Sequence, residues 1–224
     1  MSALDNPLWN SLITRHFVYA IGSGLARRYP SEIAPFAGIG SPSPQADKAL
    51  LDLFASGEHV GMVGVHPRTF EGWEVAKSFD LAQFVFEGSA APGEDDRDIV
   101  KLGPDDLEKM LELTALVYPA YFRKGTAQLG DYFGISVNGR LTAMAGTRMS
   151  LDGYQEISAV CTHPDHRGEG RASQLLAHLV QHILNQGDTP FLHTEADNVA
   201  AQGIYRRAGF SVRKMLPFIV LRRA

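Results

Sequence analysis

Cysteine is nearly missing from this chain: Cys161 is the single one among 224 residues. One thiol cannot form an internal disulfide, and it excludes a zinc site built on cysteines. Basic charge is also scarce, with 21 Lys and Arg against 25 Asp and Glu and a formal net charge of -4. A nucleic-acid binder usually presents a basic field, which this composition lacks. No run approaches the about 18 consecutive apolar residues of a membrane span. The opening stretch "MSALDNPLWNSL" has no basic head before an apolar core, so no signal peptide is expected in it. The expectation is a cytoplasmic protein with no metal, no nucleic acid and no membrane partner. What is present is ordinary globular material, 45% hydrophobic and 21% charged, enough for a sizeable core.

The clearest boundary is "EGSAAPGEDDRD", Glu87 to Asp98, which is small, acidic and interrupts the apolar patterning. It predicts an N-terminal α/β subdomain over 1–96 and a second domain over 97–224. In the first part, "GIGSPSPQAD" (Gly38 to Asp47) is expected as a loop. "GSGLARRYP" (Gly22 to Pro30) is expected as a turn before a short helix. Arg27, Arg28 and Arg68 are expected at the surface, and Arg222 and Arg223 in a solvated tail. The second part has a sharper pattern. "PDDLEKMLELTALVY" opens with Pro and two acids and then spaces apolar residues as a helix does. "DYFGISVNGRLTAMAGTRMS" is two strands joined at Asn138-Gly139, a strong hairpin signal. "YQEISAVCT" and "PFLHTEA" are strands. Between them, Ala172, Leu175, Leu176, Leu179 and Ile183 share one helical face. "NVAAQGIYRRAGF" begins at an N-cap, Asn198, and stops at Gly209. "MLPFIVLRR" is a last strand. The fold class is α/β with a mixed sheet.

The stretch "HPDHRGEGRASQLL" sets a proline turn, two glycines and two arginines directly before a leucine-rich helix. Main-chain N–H groups at a helix start have no partner, and the helix dipole adds partial positive charge. Such an end binds phosphate. Gly168 and Gly170 remove the side chains that would hold a phosphate away, and Arg167 and Arg171 add charge. A P-loop would need Lys-Ser/Thr where Arg171-Ala172 stands, and a dinucleotide fingerprint would need glycine where Ser173 stands. What remains is R-x-x-G-x-A, through Arg167, Gly170 and Ala172, as an expected diphosphate cradle.

That pattern resembles the acyl-CoA signature of the GCN5-related N-acetyltransferases (GNAT). A second segment is similar to the same family's N-x-x-A-x-x-x-Y-x-x-x-G-F, through Asn198, Ala201, Tyr205, Gly209 and Phe210. "EISAVCTHPDHRGEGRA" most resembles its FR47-like branch. The resemblance covers residues 100–224. It implies a sheet that splays open beside the strand ending in Thr162, with acetyl-CoA as cosubstrate. The pantetheine arm would pair with Val160 and Thr162. The amides of Arg167, Gly168, Glu169, Gly170, Arg171 and Ala172 would hold the diphosphate, and the N–H of Val160 or Cys161 would face the thioester carbonyl. Asn198 and Ala201 would line the CoA arm.

The same resemblance implies direct transfer to an amine. Glu156 is then the candidate base, with a salt-bridged strand glutamate as the alternative. Tyr205 is the candidate acid, with a core aromatic as the alternative. Cys161 is expected to be a buried inert thiol, His178 and His182 a solvated pair, and His163 and His166 plain loop residues. The first hundred residues are either a degenerate half of the same fold that extends its sheet or a substrate-selecting cap. The activity expected is N-acetyl transfer to a small-molecule or peptide amine. The alternatives are a longer acyl group, conjugation to an amino acid such as glycine, or a non-catalytic acyl-CoA-binding module. Oligomeric state and acceptor identity stay open.

Overall fold

Asn138 and Gly139 have φ of 50° and 80°, the left-handed backbone that a two-residue hairpin turn requires. The flanking strands fold back on each other there, as the sequence predicts. A computed structural model describes residues 2–88, 98–117, 119 and 121–224. Its helices are α1 (Pro7–Ile13), α2 (Pro44–Leu51), α3 (Leu107–Val117), α4 (Arg171–Asn185) and α5 (Val199–Arg207). Its strands are β1 (Ala26–Arg28), β2 (Ala37–Ile39), β3 (His59–Val63), β4 (Trp73–Phe86), β5 (Ile99–Leu102), β6 (Tyr132–Val137), β7 (Arg140–Leu151), β8 (Tyr154–Thr162), β9 (Thr189–Glu195) and β10 (Phe210–Arg223).

Among the described residues β1 and β2 form a small antiparallel pair, and the other strands form one sheet in the order β3-β10-β4-β9-β8-β7-β6-β5. Neighbours in it are antiparallel except β8 and β9, which are joined through α4 and run parallel. This is the mixed, splayed α/β architecture expected. Strands from both sides of the 96/97 boundary alternate within this sheet: β4 lies between β9 and β10, and β10 between β4 and β3. Of the expected linker Glu87–Asp98, residues 89–97 lie outside the described ones.

Successive residues of a strand face opposite sides of a sheet, and β9 illustrates it. Leu192 packs with Leu175, Leu176, Leu179 and Ile183 of α4 and with Tyr205 of α5. Phe191 packs on the other side with Leu4, Leu8 and Leu12 around α1. The helix stripe read from the sequence is therefore the buried face of α4 from Leu175 to Ile183, with Val180 added to it and Ala172 only partly buried.

Several expectations are corrected. Gly22–Pro30 holds the three-residue strand β1 rather than a turn and helix, and Gly38–Asp47 is a loop only between the end of β2 and Pro44, where α2 begins. Arg28 is buried, with its guanidinium on both Glu58 carboxylate oxygens at 2.9 and 3.0 Å and over the Phe54 ring. Arg222 and Arg223 belong to β10, and Arg222 pairs with Glu74. His178 and His182 are not a solvated pair. Their rings pack edge-on against Phe133, at 4.4 and 5.0 Å, and His182 Nε2 donates to Asp131. No helix among the described residues is long and apolar enough to cross a membrane.

Leu179 is fully buried between α4 and the sheet. Leu179→Ala is expected to cost about 2–5 kcal/mol. Urea unfolding should move to a lower midpoint with little change in slope.

Candidate active site

The pairing of β8 with β9 is short. It covers Tyr154, Gln155 and Glu156 against Thr189, Pro190 and Phe191 and then stops. From there β9 continues beside β4 up to Glu195, while β8 continues beside β7 to Thr162. The sheet opens as a wedge between them. A bulge reinforces the divergence: Ala159 and Val160 stand against Ala145 alone, and Ala159 has φ of 53°. Such a bulge bends a strand and increases its twist. Beyond Glu156, the main-chain groups of β8 that face β9 have no strand partner among the described residues. A cavity of about 350 Å³ occupies the wedge, with Ser158, Ala159 and Val160 on one wall and His193, Thr194 and Glu195 on the other.

The apex of the wedge is held by a buried ionic cluster. Arg148 of β7 donates from Nε to Glu156 Oε2 at 2.8 Å and from Nη2 to Oε1 at 2.9 Å. His193 Nδ1 lies 2.8 Å from Glu156 Oε1. An ionised carboxylate only accepts, so His193 donates there from Nδ1. Its Nε2 is 3.0 Å from the Gln83 amide nitrogen, which donates to it and also to the Leu4 carbonyl. The neutral Nδ1–H tautomer satisfies every one of these contacts. Gln83 in turn accepts from Arg213, which pairs with Asp5. Burial of the Glu156 carboxyl favours its neutral form, but the Arg148 charge and the His193 and Arg148 hydrogen bonds outweigh burial and hold it down at about 2.

At the head of α4, Gly168 and Gly170 have φ of 82° and 80°. A Cβ at either would meet nothing within 4 Å, so the backbone conformation demands glycine and the space in front stays open. The main-chain N–H groups of Gly168, Glu169, Gly170, Arg171 and Ala172 donate to no group among the described residues. They form a nest at a helix start. Arg171 is held by Glu169 at 2.6 and 3.0 Å, and Arg167 Nε lies 3.4 Å from the Thr162 carbonyl.

Over its whole length the chain is 32% identical to a GNAT-family protein from Novosphingobium aromaticivorans named as an acetyltransferase, and the match covers 100% of both chains with a TM-score of 0.93. The chain belongs to the GNAT family. The model of the FR47-like protein family matches residues 132–218. The uncharacterized N-acetyltransferase YobR of Bacillus subtilis is 36% identical over 72 residues, which is 32% of this chain and 29% of that protein. The match thus spans less than a third of the length of YobR. A GCN5-related N-acetyltransferase-like protein from Streptococcus suis shares the fold at 16% identity, TM-score 0.64, over 96% of this chain and 94% of its own. By this membership the protein is an acyltransferase.

The residues singled out in the sequence of this GNAT protein fall into three groups. Glu156, Val160, Asn198, Ala201 and Tyr205 all line the wedge cavity. Asn198 also caps α5, its side chain accepting from the Ala201 N–H at 3.1 Å. Tyr205 is buried edge-on against Phe84. Arg167 to Ala172 lie at the start of α4, outside that cavity. Cys161 and Thr162 are also outside it. Burial pushes the Cys161 thiol up to about 12, so it is inert. His163 is buried and caps the short turn Pro164–His166.

Arg148, His193 and Glu195 were not singled out. The alternation in "FLHTE" puts His193 and Glu195 on one face of a strand beside the cleft, which was an available signal. Arg148 gave none, because its meeting with Glu156 depends on strand register.

A carboxyl held below its ordinary value of 4.5 adds stability that is complete above that pH and is lost as pH falls toward 2. Glu156→Gln is expected to lose about 3 kcal/mol at pH 7. Unfolding measured at pH 7 and pH 3 should show the gap between the two proteins narrowing at pH 3. A gap of equal size at both would count against the charge on Glu156.

Proposed function

We propose that this acyltransferase moves an acetyl group from acetyl-CoA to a primary amine held in the wedge between β8 and β9. The observation that carries this reading is the unpartnered run of N–H groups from Gly168 to Ala172 at the head of α4, next to the open edge of β8. The run suits the diphosphate, and the open edge suits an extended amide-bearing arm lying as an added strand against Val160 and Thr162. Asn198 and Ala201 flank that arm. The N–H of Val160 or Cys161 would face the developing oxyanion of the thioester carbonyl.

An alkyl ammonium with a pKa of about 10.4 must lose a proton before it attacks. Glu156 is an unsuitable acceptor, because three donors occupy its oxygens and its affinity for a proton is low. Its proposed role is positioning: it orients His193 and Arg148 at the apex. Glu195 fits the base role better. It lines the same cavity, is exposed, and its carboxylate has no hydrogen bond or ion pair among the described residues. The amine nitrogen then bonds to the acyl carbon, the carbon–sulfur bond breaks, and the thiolate takes a proton from Tyr205. The first proton of the ammonium leaves through Glu195 to water, and the second, shed by the nitrogen as the amide forms, restores the Tyr205 hydroxyl.

Conjugation to an amino acid has less support. Arg148 is the cation among the described residues lining the cavity, and it is engaged by Glu156, so a substrate carboxylate has no ready counter-charge.

Thiol release with acetyl-CoA and a panel of primary amines tests the activity. Tyr205→Phe is expected to lower kcat roughly tenfold to a hundredfold, with the KM for acetyl-CoA unchanged. Glu195→Gln should lower kcat/KM. Gly170→Val should weaken acetyl-CoA binding by about tenfold or more, through loss of the left-handed turn. Thiol release unaffected by both Tyr205→Phe and Glu195→Gln would sink these assignments.

A further inference from the structure

The wedge cavity does not end at the chemistry. Past Arg148 it runs under the N-terminal part of the chain, where its wall is aromatic. Phe36 and Tyr121 lie parallel with centroids 6.1 Å apart, and both meet Phe218 edge-on, at 6.5 and 6.3 Å. Phe79 tilts against Phe218 at 5.0 Å. Leu8 and Met149 close the rest. These side chains come from the segment before β3, from β4, β7 and β10 and from the stretch after α3, so the compartment exists only because both parts of the chain share one sheet.

An aromatic wall takes either a cation or an apolar group, and the structure discriminates between them. The Arg148 guanidinium already sits over the Phe36 ring, 4.9 Å from its centroid. That face of the ring is therefore taken, and the buried carboxylate beside it, Glu156, already has three donors. Arg148 is itself paired with Glu156, so the compartment offers an anion no free counter-charge. Glu195, at the other wall, is the carboxylate that an ammonium would meet. Charge is therefore wanted at one end of the acceptor and excluded from the other.

We infer that the acceptor is a primary amine joined through a short spacer to an uncharged, ring-sized apolar group, with the ring seated against Phe36, Tyr121, Phe218 and Phe79 and the amine held toward Glu195. This names the acceptor class of the acetyl transfer proposed above and rests on that reading for the amine end. A cavity of about 350 Å³ has room for one ring beside the acyl end of the donor. A polyamine would bring its second charge to a compartment whose buried carboxylate, Glu156, is already taken by three donors. An amino sugar would leave its hydroxyls facing aromatic carbon without partners.

Calorimetric titration of 2-phenylethylamine, spermidine and glycine into the full chain saturated with coenzyme A tests this without requiring turnover. Phenylethylamine should bind at least about tenfold more tightly than the other two, given the area a phenyl ring buries. Tyr121→Ala, at the half-buried rim, should remove most of that preference while leaving coenzyme A binding unchanged. Phe79→Ala serves as a second variant on a different strand. Spermidine or glycine binding as tightly as phenylethylamine, or a preference that survives both substitutions in folded protein, would overturn the inference. Thiol release measured with the same amines separates the two proposals. Transfer that favours spermidine leaves acetyl transfer standing and removes the apolar acceptor. Tight phenylethylamine binding without transfer to any amine does the reverse.

Discussion

Beyond Glu156 two neighbouring strands part, and nearly every functional feature of the molecule lies in or beside the gap. A sheet that opens in its middle leaves main-chain donors and acceptors unpaired, which is costly unless something else takes them up. Here the opening starts where Arg148, Glu156 and His193 meet. Burying that ion pair is itself unfavourable, and it is tolerated because the carboxylate gains three donors in good geometry. The cluster joins β7, β8 and β9 at one point, so it fixes where pairing ends and the wedge begins. The bulge at Ala159 and Val160 then turns β8 away.

The cluster also links the wedge to the far side of the sheet. His193 passes its second nitrogen to Gln83 of β4, and Gln83 reaches Arg213 of β10 and the main chain before α1. Each member depends on the next for its orientation: the carboxylate selects the histidine tautomer, and the amide confirms it. A buried polar chain of this kind specifies one arrangement of the strands, because a shift of register in any of them would strand a donor or an acceptor away from water. Proximity to the cleft and availability for proton transfer are thus different properties. Glu156 has the first, and Glu195, exposed at the other wall, has both.

The parts of the fold that rest on local chemistry were legible in the sequence. Asn138-Gly139 demanded a hairpin, the Leu175–Ile183 stripe demanded a helix against a core, Asn198 demanded a cap, and the glycines at 168 and 170 marked a helix entrance bare of side chains. The parts that rest on register were not. Arg148 meets Glu156 only because β7 and β8 pair as they do. Arg28 looked like a surface cation because Glu58, its partner, lies on a distant loop. β1 is three residues long, too short to carry a period, and was misread as the start of a helix. The interleaving of β3 and β4 with β10 had no signature at all, since a composition break near residue 90 says nothing about which strands pair.

That interleaving has a consequence for how the protein is made. Among the described residues β4 finds both of its strand neighbours, β9 and β10, only after Asp188, and β3, apart from a single bridge between Gly61 and Phe36, pairs only with β10. While the ribosome is still working, these two segments wait as edges without their strand neighbours. Such long-range pairing slows folding and leaves the nascent polypeptide open to wrong associations. β10 acts as the latch that closes the sheet, and a chain released before β10 is made would keep the helix–strand unit around α4 but have no way to seal it.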